Sequence, residues 1–287
     1  MVISAARPTP PATISRGNRP IWWTRCAVRS TADQTGDPVT ASETTIPASP
    51  DAAGTPTVAV KASPDRLYGR QRGHPLRPRQ QRLLDETLPR LRFDQTRLDD
   101  PARAFGRVPA EIWLEVGFGG GEHSLAQHAA HPDVGYIASE VFENGLCSLL
   151  SRLVPDDQEA TAPVPDLLRI WDEDARALLR ALPERSLDRM FLMFPDPWPK
   201  ARHAKRRFVH PANIALVARA LKPGAIWRVA SDDPTYQAWV EEVMAAQDLF
   251  DTAPPATTRP EGWPPTRYEA KALQAGRQPL YWTFVRR

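Results

Sequence analysis

Residues 112–122 read IWLEVGFGGGE. An apolar run with β-branched and aromatic members breaks into Gly117, Gly119, Gly120 and Gly121, and a helix-compatible stretch follows over residues 122–131. A strand, a glycine turn and a helix make the opening βα unit of a parallel sheet. Outward from this unit the alternation repeats. Residues 134–140, 167–171, 187–194 and 226–231 have strand character, with helical stretches over 142–153, 173–182 and 211–221 between them. Lys222-Pro223-Gly224 stops the last of these helices, another helix starts near Pro234, and residues 280–285 alternate like a terminal strand. The pattern predicts an α/β fold with a doubly wound, mostly parallel sheet.

The bulk of the chain narrows the function classes. Its 287 residues carry a formal charge of only +3, but Arg66, Arg70, Arg72, Arg77, Arg79 and Arg82 cluster against Asp65 alone, which points to an acidic partner. Two cysteines, Cys26 and Cys147, argue against a disulfide framework and for a reducing, cytoplasmic setting; Cys147 is expected buried on a helix. No apolar run approaches the roughly 20 residues that span a bilayer, so no membrane role is expected. His123, His128 and His131 lack metal-ligand spacing and suitable partners, and no metal is assigned. Residues 1–62 are rich in Pro, Ala, Thr and Ser, with no acid before Asp33. An organellar transit peptide has such a composition, but a disordered extension or a start codon placed too far upstream is the preferred reading, and the segment is set aside from the fold.

The glycine loop suits a nucleotide-type ligand, because glycine lets backbone approach it closely. The dinucleotide fingerprint fails, since Glu122 stands at its third glycine and would repel a pyrophosphate. Glu140 ends the second strand about twenty residues on, where an acid can hold ribose hydroxyls. With Glu115, Asp174 and Asp196 it makes four carboxylates at the ends of neighbouring strands, a set suited to a cationic cofactor without phosphate, S-adenosylmethionine. Each also has a plainer use: Glu115 and Glu140 can cap backbone amides, and Asp172, Glu173 and Asp174 suit a helix N-terminus.

Residues 191–207, FLMFPDPWPKARHAKRR, are the most constraining for function. A strand ends in Pro195-Asp196-Pro197-Trp198, one carboxylate and one aromatic, and runs into a cationic loop of Lys200, Arg202, His203, Lys205, Arg206 and Arg207 with no acid among them. That composition fits a phosphate backbone, and a solvated charged loop is its plainer reading. Asp196 either acts on a substrate base or bonds its own turn. Trp198 either stacks on a base or seals the loop. Thr266 and Glu269, spaced T-x-x-E after two prolines, form a capping box.

These motifs resemble the bacterial tRNA (guanine-N7-)-methyltransferase family. The likeness rests on Glu115-Val116-Gly117-Phe118-Gly119, on Phe194 to Lys200 with Arg202 to Arg207, on Ser231-Asp232 and on Thr266-Arg267-Tyr268-Glu269. A basic arm around Arg66-Leu67-Tyr68-Gly69-Arg70 and Leu76 to Gln80 adds to it. Pro199 departs from relatives that carry histidine there. The resemblance implies a seven-stranded, Rossmann-like class I methyltransferase fold over residues 111–287, with residues 63–110 as a basic arm packed on it. It implies methylation of N7 of guanine 46 in the tRNA variable loop by S-adenosylmethionine, in a monomer or homodimer. Glu115, Gly117, Gly119, Glu140, Asp174 and Asp196 would serve the cofactor, and Asp196 catalysis. Lys200, Asp232, Thr266, Arg267, Tyr268 and Glu269 would hold the guanosine; Arg202, His203, Lys205, Arg206 and Arg207 would meet RNA. Three rivals stand beside it. An exocyclic-amine methyltransferase typically carries [DNS]-P-P-[FYW], whereas here a carboxylate separates the prolines. A non-catalytic RNA-binding module would lack use for the acidic set. A nicotinamide dehydrogenase conflicts with Glu122.

Overall fold

The computed structural model describes Leu67, Gly69 and residues 71–287. The expectations for residues 1–62, Cys26 among them, and for Arg66, Tyr68 and Arg70 lie outside the described residues. Seven strands, β1 (Glu111–Val116), β2 (Val134–Ser139), β3 (Leu168–Trp171), β4 (Leu187–Met193), β5 (Leu221–Ser231), β6 (Phe250–Thr252) and β7 (Leu280–Arg286), form one sheet in the order β3-β2-β1-β4-β5-β7-β6. The first five run parallel; β7 is antiparallel to β5, and β6 to β7. The helices are α1 (Pro78–Arg82), α2 (Leu88–Leu91), α3 (Glu122–Ala130), α4 (Glu143–Leu153), α5 (Ala175–Ala181), α6 (Pro211–Ala220), α7 (Pro234–Ala245) and α8 (Arg267–Gln274). This is the seven-stranded, Rossmann-like class I methyltransferase sheet that the motifs implied. None of the helices is long and apolar enough to cross a membrane.

Strand periodicity builds two cores. Along β1, Leu114 and Val116 face one side and Trp113 the other; on β4, Met190 and Leu192 oppose Phe191 and Met193. The first side packs under Leu178 and Leu179 of α5, Ile214 and Val217 of α6, and Tyr236 and Val240 of α7. The second packs under Leu125 of α3 and Leu146, Leu149 and Leu150 of α4. Cys147 is buried, as expected. The three-residue β6 is too short to carry a period, and the helical stretch at residues 78–91 falls in the span expected only as a basic arm.

That N-terminal helix closes the second core with Leu83, Leu88 and Leu91. It widens into a π turn at Leu83–Thr87 just before Pro89, which has no N–H to give to an α-helical bond. Phe93 N–H then bonds Ile170 O at 2.8 Å, covering the β3 edge. Two of the arginines expected to seek an acidic partner find it within the chain. Arg79 Nε donates to Glu159 Oε1 at 3.1 Å and Arg82 Nε to Glu159 Oε2 at 3.3 Å, and both pair with Asp156. Burial pushes the Glu159 carboxyl up, but its own backbone N–H and the Arg82 and Arg79 bonds prevail and hold it at about 2.

A carboxyl depressed in the folded state stabilises above its unfolded value and loses that contribution as pH falls through its folded value. Glu159→Gln is therefore expected to lower stability at pH 7. Its difference from wild type should shrink from about pH 4.5 downwards and vanish near pH 2; denaturant melts across that range check it.

Candidate active site

The site begins where parallel strands end level. Val116 of β1 registers with Ser139 of β2 and with Leu192 of β4, so the chain leaves three adjacent strands at one height. After β1, Gly117, Gly119 and Gly121 take φ values of +73°, +58° and +79°, open to glycine at little cost. The loop is held from the next strand. Glu140 accepts the N–H groups of Gly119 at 2.8 Å, Val141 at 2.8 Å and Phe142 at 3.0 Å. Burial pushes its carboxyl above the ordinary range and the nearby Asp196 adds to this, against the pull of those three bonds.

A cavity of about 610 Å³ opens over these strand ends. Gly117, Gly119, Glu140, Glu173, Asp174 and Asp196 line it together with Trp198, Lys205, Arg206, Arg207 and Tyr268, so acidic and basic side chains share one space. Asp174 also caps α5: its Oδ1 accepts Arg176 N–H at 2.9 Å, and the Arg176 guanidinium clasps both oxygens at 2.6–3.0 Å. Burial raises the Asp174 carboxyl, but Arg176 outweighs it and the net shift is downward. Asp196 is exposed in the cavity and accepts no hydrogen bond from a described residue. The turn-bonding role weighed for it is therefore absent.

The Pro-Asp-Pro turn is fixed by other means. Phe194 and Trp198 hold left-handed φ values of +53° and +45°, a cost of order 1–3 kcal/mol each for non-glycine residues. Phe194 N–H bonds Ala230 O at 2.8 Å. Arg207 donates to Pro197 O at 3.1 Å and Trp198 O at 3.0 Å, and its guanidinium lies 4.9 Å from the Trp239 ring. Arg207 is buried, so it clasps the turn from within and does not face outward as its expected RNA-binding role requires. Arg202 and Lys205 are exposed, and Arg206 covers the Trp198 ring at 4.8 Å. Burial and the surrounding cations Arg206, Arg202, Lys200 and Lys205 push His203 down, leaving it neutral at pH 7.

Other expected residues sit off the cavity wall. Glu115 is buried behind the glycine loop, where Ser124 and Tyr136 donate to it and His123 Nδ1 lies 3.1 Å away. It ties β1 to α3 and β2 and is not part of the cavity lining. Lys200 is exposed at the start of the 3-10 turn Ala201–Arg206. Asp232 is paired with Arg277 at 2.5 Å. Thr266 and Glu269 complete the capping box of α8, and Glu269 is buried with Tyr281 donating to it at 2.6 Å. Of that motif, Tyr268 lines the cavity, beside Gly119, while Arg267 lies over its ring at 5.2 Å. The sequence reading missed Gly145. A Cβ there would meet Gly119 O at 2.6 Å, so this glycine lets α4 pack against the loop. A glycine inside a helical pattern was the available signal.

Gly145→Ala separates packing from propensity. Alanine favours a helix by about 1 kcal/mol over glycine, yet the close contact should reverse the sign and destabilise by about 1–3 kcal/mol. Denaturant melts and ligand titration of the variant check this, with weakened ligand binding expected.

A family model described as "Putative methyltransferase" matches residues 109–281. The tRNA (guanine-N(7)-)-methyltransferase of Granulibacter bethesdensis is 68% identical over 233 residues, covering 81% of this chain and all of that protein. The protein of the same name from Rhodospirillum rubrum is 48% identical over 231 residues, covering 77% of this chain and 88% of its own length. Among solved structures, the 16S rRNA methyltransferase KamB is similar at a TM-score of 0.46 and 16% identity over 62% of this chain and 88% of its own. At that score the likeness adds nothing to the sheet order already given. On the strength of the sequence matches, which run through both the glycine loop and the Pro-Asp-Pro turn, this chain belongs to the bacterial tRNA (guanine-N7-)-methyltransferase family.

Proposed function

We propose that this protein transfers a methyl group from S-adenosylmethionine to N7 of guanine 46 in the variable loop of tRNA. The observation that carries the reading is the cavity at the strand ends, lined both by carboxylates and by residues of the cationic loop, with the unbonded Asp196 carboxylate among them.

The cavity suits that cofactor. Glu140, already organised by three backbone N–H groups, stands where the ribose hydroxyls would lie, and Gly117 and Gly119 leave backbone accessible. Glu173 and Asp174 extend the acidic set, although Asp174 must share its oxygens with Arg176. No phosphate-binding turn is called for, because this cofactor has no phosphate. When bound, it supplies an electrophilic methyl group on a sulfonium.

Guanine N7 carries a free lone pair, so no residue has to remove a proton from it. Alignment is what the chain must provide, and pre-organisation of this kind can supply several kcal/mol, up to about 7–11 in favourable intramolecular cases. The base gains positive charge as the methyl group arrives. Asp196 accepts from guanine N1–H and N2–H, which fixes the base, rejects adenine and stabilises that charge. The Arg207 clasp fixes the backbone of the turn that presents the carboxylate. The exposed Arg202 and Lys205 take phosphates of the RNA backbone, and affinity there weakens as salt rises.

Labelled S-adenosylmethionine, unmodified tRNA and nucleoside analysis of the product test the reading. Label in 7-methylguanosine, lost when guanine 46 is replaced, is the expected result. Label in another nucleoside, or none, overturns it.

Asp196→Asn keeps the shape of the turn and is expected to lower kcat by about 10²-fold or more, with circular dichroism and cofactor affinity little changed. Glu140 makes a second measurement diagnostic. Its carboxyl is raised in the free protein, and hydroxyl donors or a cationic ligand favour the ionised form. Cofactor affinity should therefore fall as pH drops through a value above the ordinary 4.5, and calorimetry between pH 8 and pH 5 reads it.

A further inference from the structure

The two faces of β5 and β7 are covered unequally. Trp227 and Val229 of β5, with Trp282 and Phe284 of β7, are buried under helices on one face. On the other face Thr283 is exposed, and Ile226, Arg228 and Val285 are half-buried. Arg189 of β4 shares this face, two residues before Phe191, and Phe191 is the register partner of Arg228. Two guanidinium side chains therefore stand half-buried on adjacent strands, beside the buried Phe191, Ala230 and Tyr281 of the same face.

Aromatic rings form the floor beneath them. Arg189 lies 4.2 Å from the Trp113 ring centroid, and Arg228 lies 5.0 Å from that of Trp263 and 5.9 Å from that of Phe191. Neither guanidinium donates to or pairs with a described residue, and the Nε of each is buried without a partner. The neighbouring carboxylates Glu111 and Asp188 act on Arg189 through their charge but spend their hydrogen bonds elsewhere. Glu111 accepts from Trp113 Nε1 at 2.6 Å, and Asp188 accepts Ile112 N–H and the Lys222 ammonium. Burial, with Arg189 adding, brings Arg228 down to about 10, so both groups stay cationic at neutral pH and repel each other. His131, its ring 4.6 Å from Trp113, stands beside the pair; burial and then Arg189 push it down, so it is neutral at pH 7.

We propose that Arg189 and Arg228, with His131 at their edge, form a phosphate-binding site on this sheet face, separate from the cavity at the strand ends. The planar guanidinium fork matches phosphate oxygens in pairs. One phosphate bridging two strands accepts from the Nη groups, which are not among the buried atoms, and cancels the repulsion between the two guanidinium groups. The phosphate is either a free anion or a phosphodiester of bound RNA. The second source rests on the tRNA reading above; the first does not.

The test uses the full chain labelled with 15N-arginine, with the Arg189 and Arg228 Nε–H resonances assigned from Arg189→Lys and Arg228→Lys. Titration with inorganic phosphate against chloride at matched ionic strength should move both resonances along one saturating curve. Shifts no larger than those in chloride overturn the site, whether or not the protein methylates tRNA. For the source, Arg189→Gln/Arg228→Gln is compared with wild type in tRNA binding across salt. A slope of log affinity on log salt smaller by about 0.9 assigns the site to RNA, and an unchanged slope with the phosphate shifts intact assigns it to the free anion. Should the double variant not fold, Arg228→Lys is read in the same way, with a smaller loss.

Discussion

The site depends on β1 lying between β2 and β4 with all three parallel and in level register. Val116 is matched to Ser139 on one side and to Leu192 on the other. Parallel neighbours send their following loops out over the same edge of the sheet, which is why ligands of open α/β sheets gather there. The glycine loop, Glu140 and the Pro-Asp-Pro turn are far apart in sequence and meet because of that register. Glu140 then ties two of these loops together, taking an N–H from Gly119 across the strand gap and two from its own turn.

The turn after β4 carries the strain of the site. Phe194 and Trp198 both occupy left-handed backbone, and the surrounding structure holds them there. Ala230 of the neighbouring strand pins the first, and the buried Arg207 pins the carbonyls before and at the second. Asp196 lies between these two fixed points with its carboxylate uncommitted. A rigid backbone around a free side chain is the arrangement expected where a polar group must meet a ligand without first reorganising.

The cationic loop divides its labour. Arg207 points in and is spent on the turn, while Arg202 and Lys205 stay at the surface. Glu140, Asp174 and Asp196 line the same cavity as Lys205 and Arg206. Charges of both signs within one cavity fit a ligand pair of opposite character, a cationic group beside a polyanion. Neither sign of charge alone would distinguish such a pair from an ordinary nucleotide or an ordinary acidic partner.

The sheet was legible in the sequence because short apolar runs, glycine turns and helix stops are local signals, and the runs at β1 and β4 are apolar on both faces, as strands buried on both sides are. Glu140 and Asp196 were legible for a related reason: each directly follows a strand of a parallel sheet, so position along the chain already implies position in space. What the sequence could not disclose was which polar groups are already satisfied. Arg79 and Arg82 meet Glu159, Asp174 meets Arg176, Asp232 meets Arg277, and Glu115 sinks behind its loop. Arg207 and Arg202 are chemically identical and five residues apart, yet one is buried and the other exposed. Residue type and spacing determine the chemistry a side chain is able to do. Whether it is free to do it depends on contacts between distant segments, which exist only once the chain has folded.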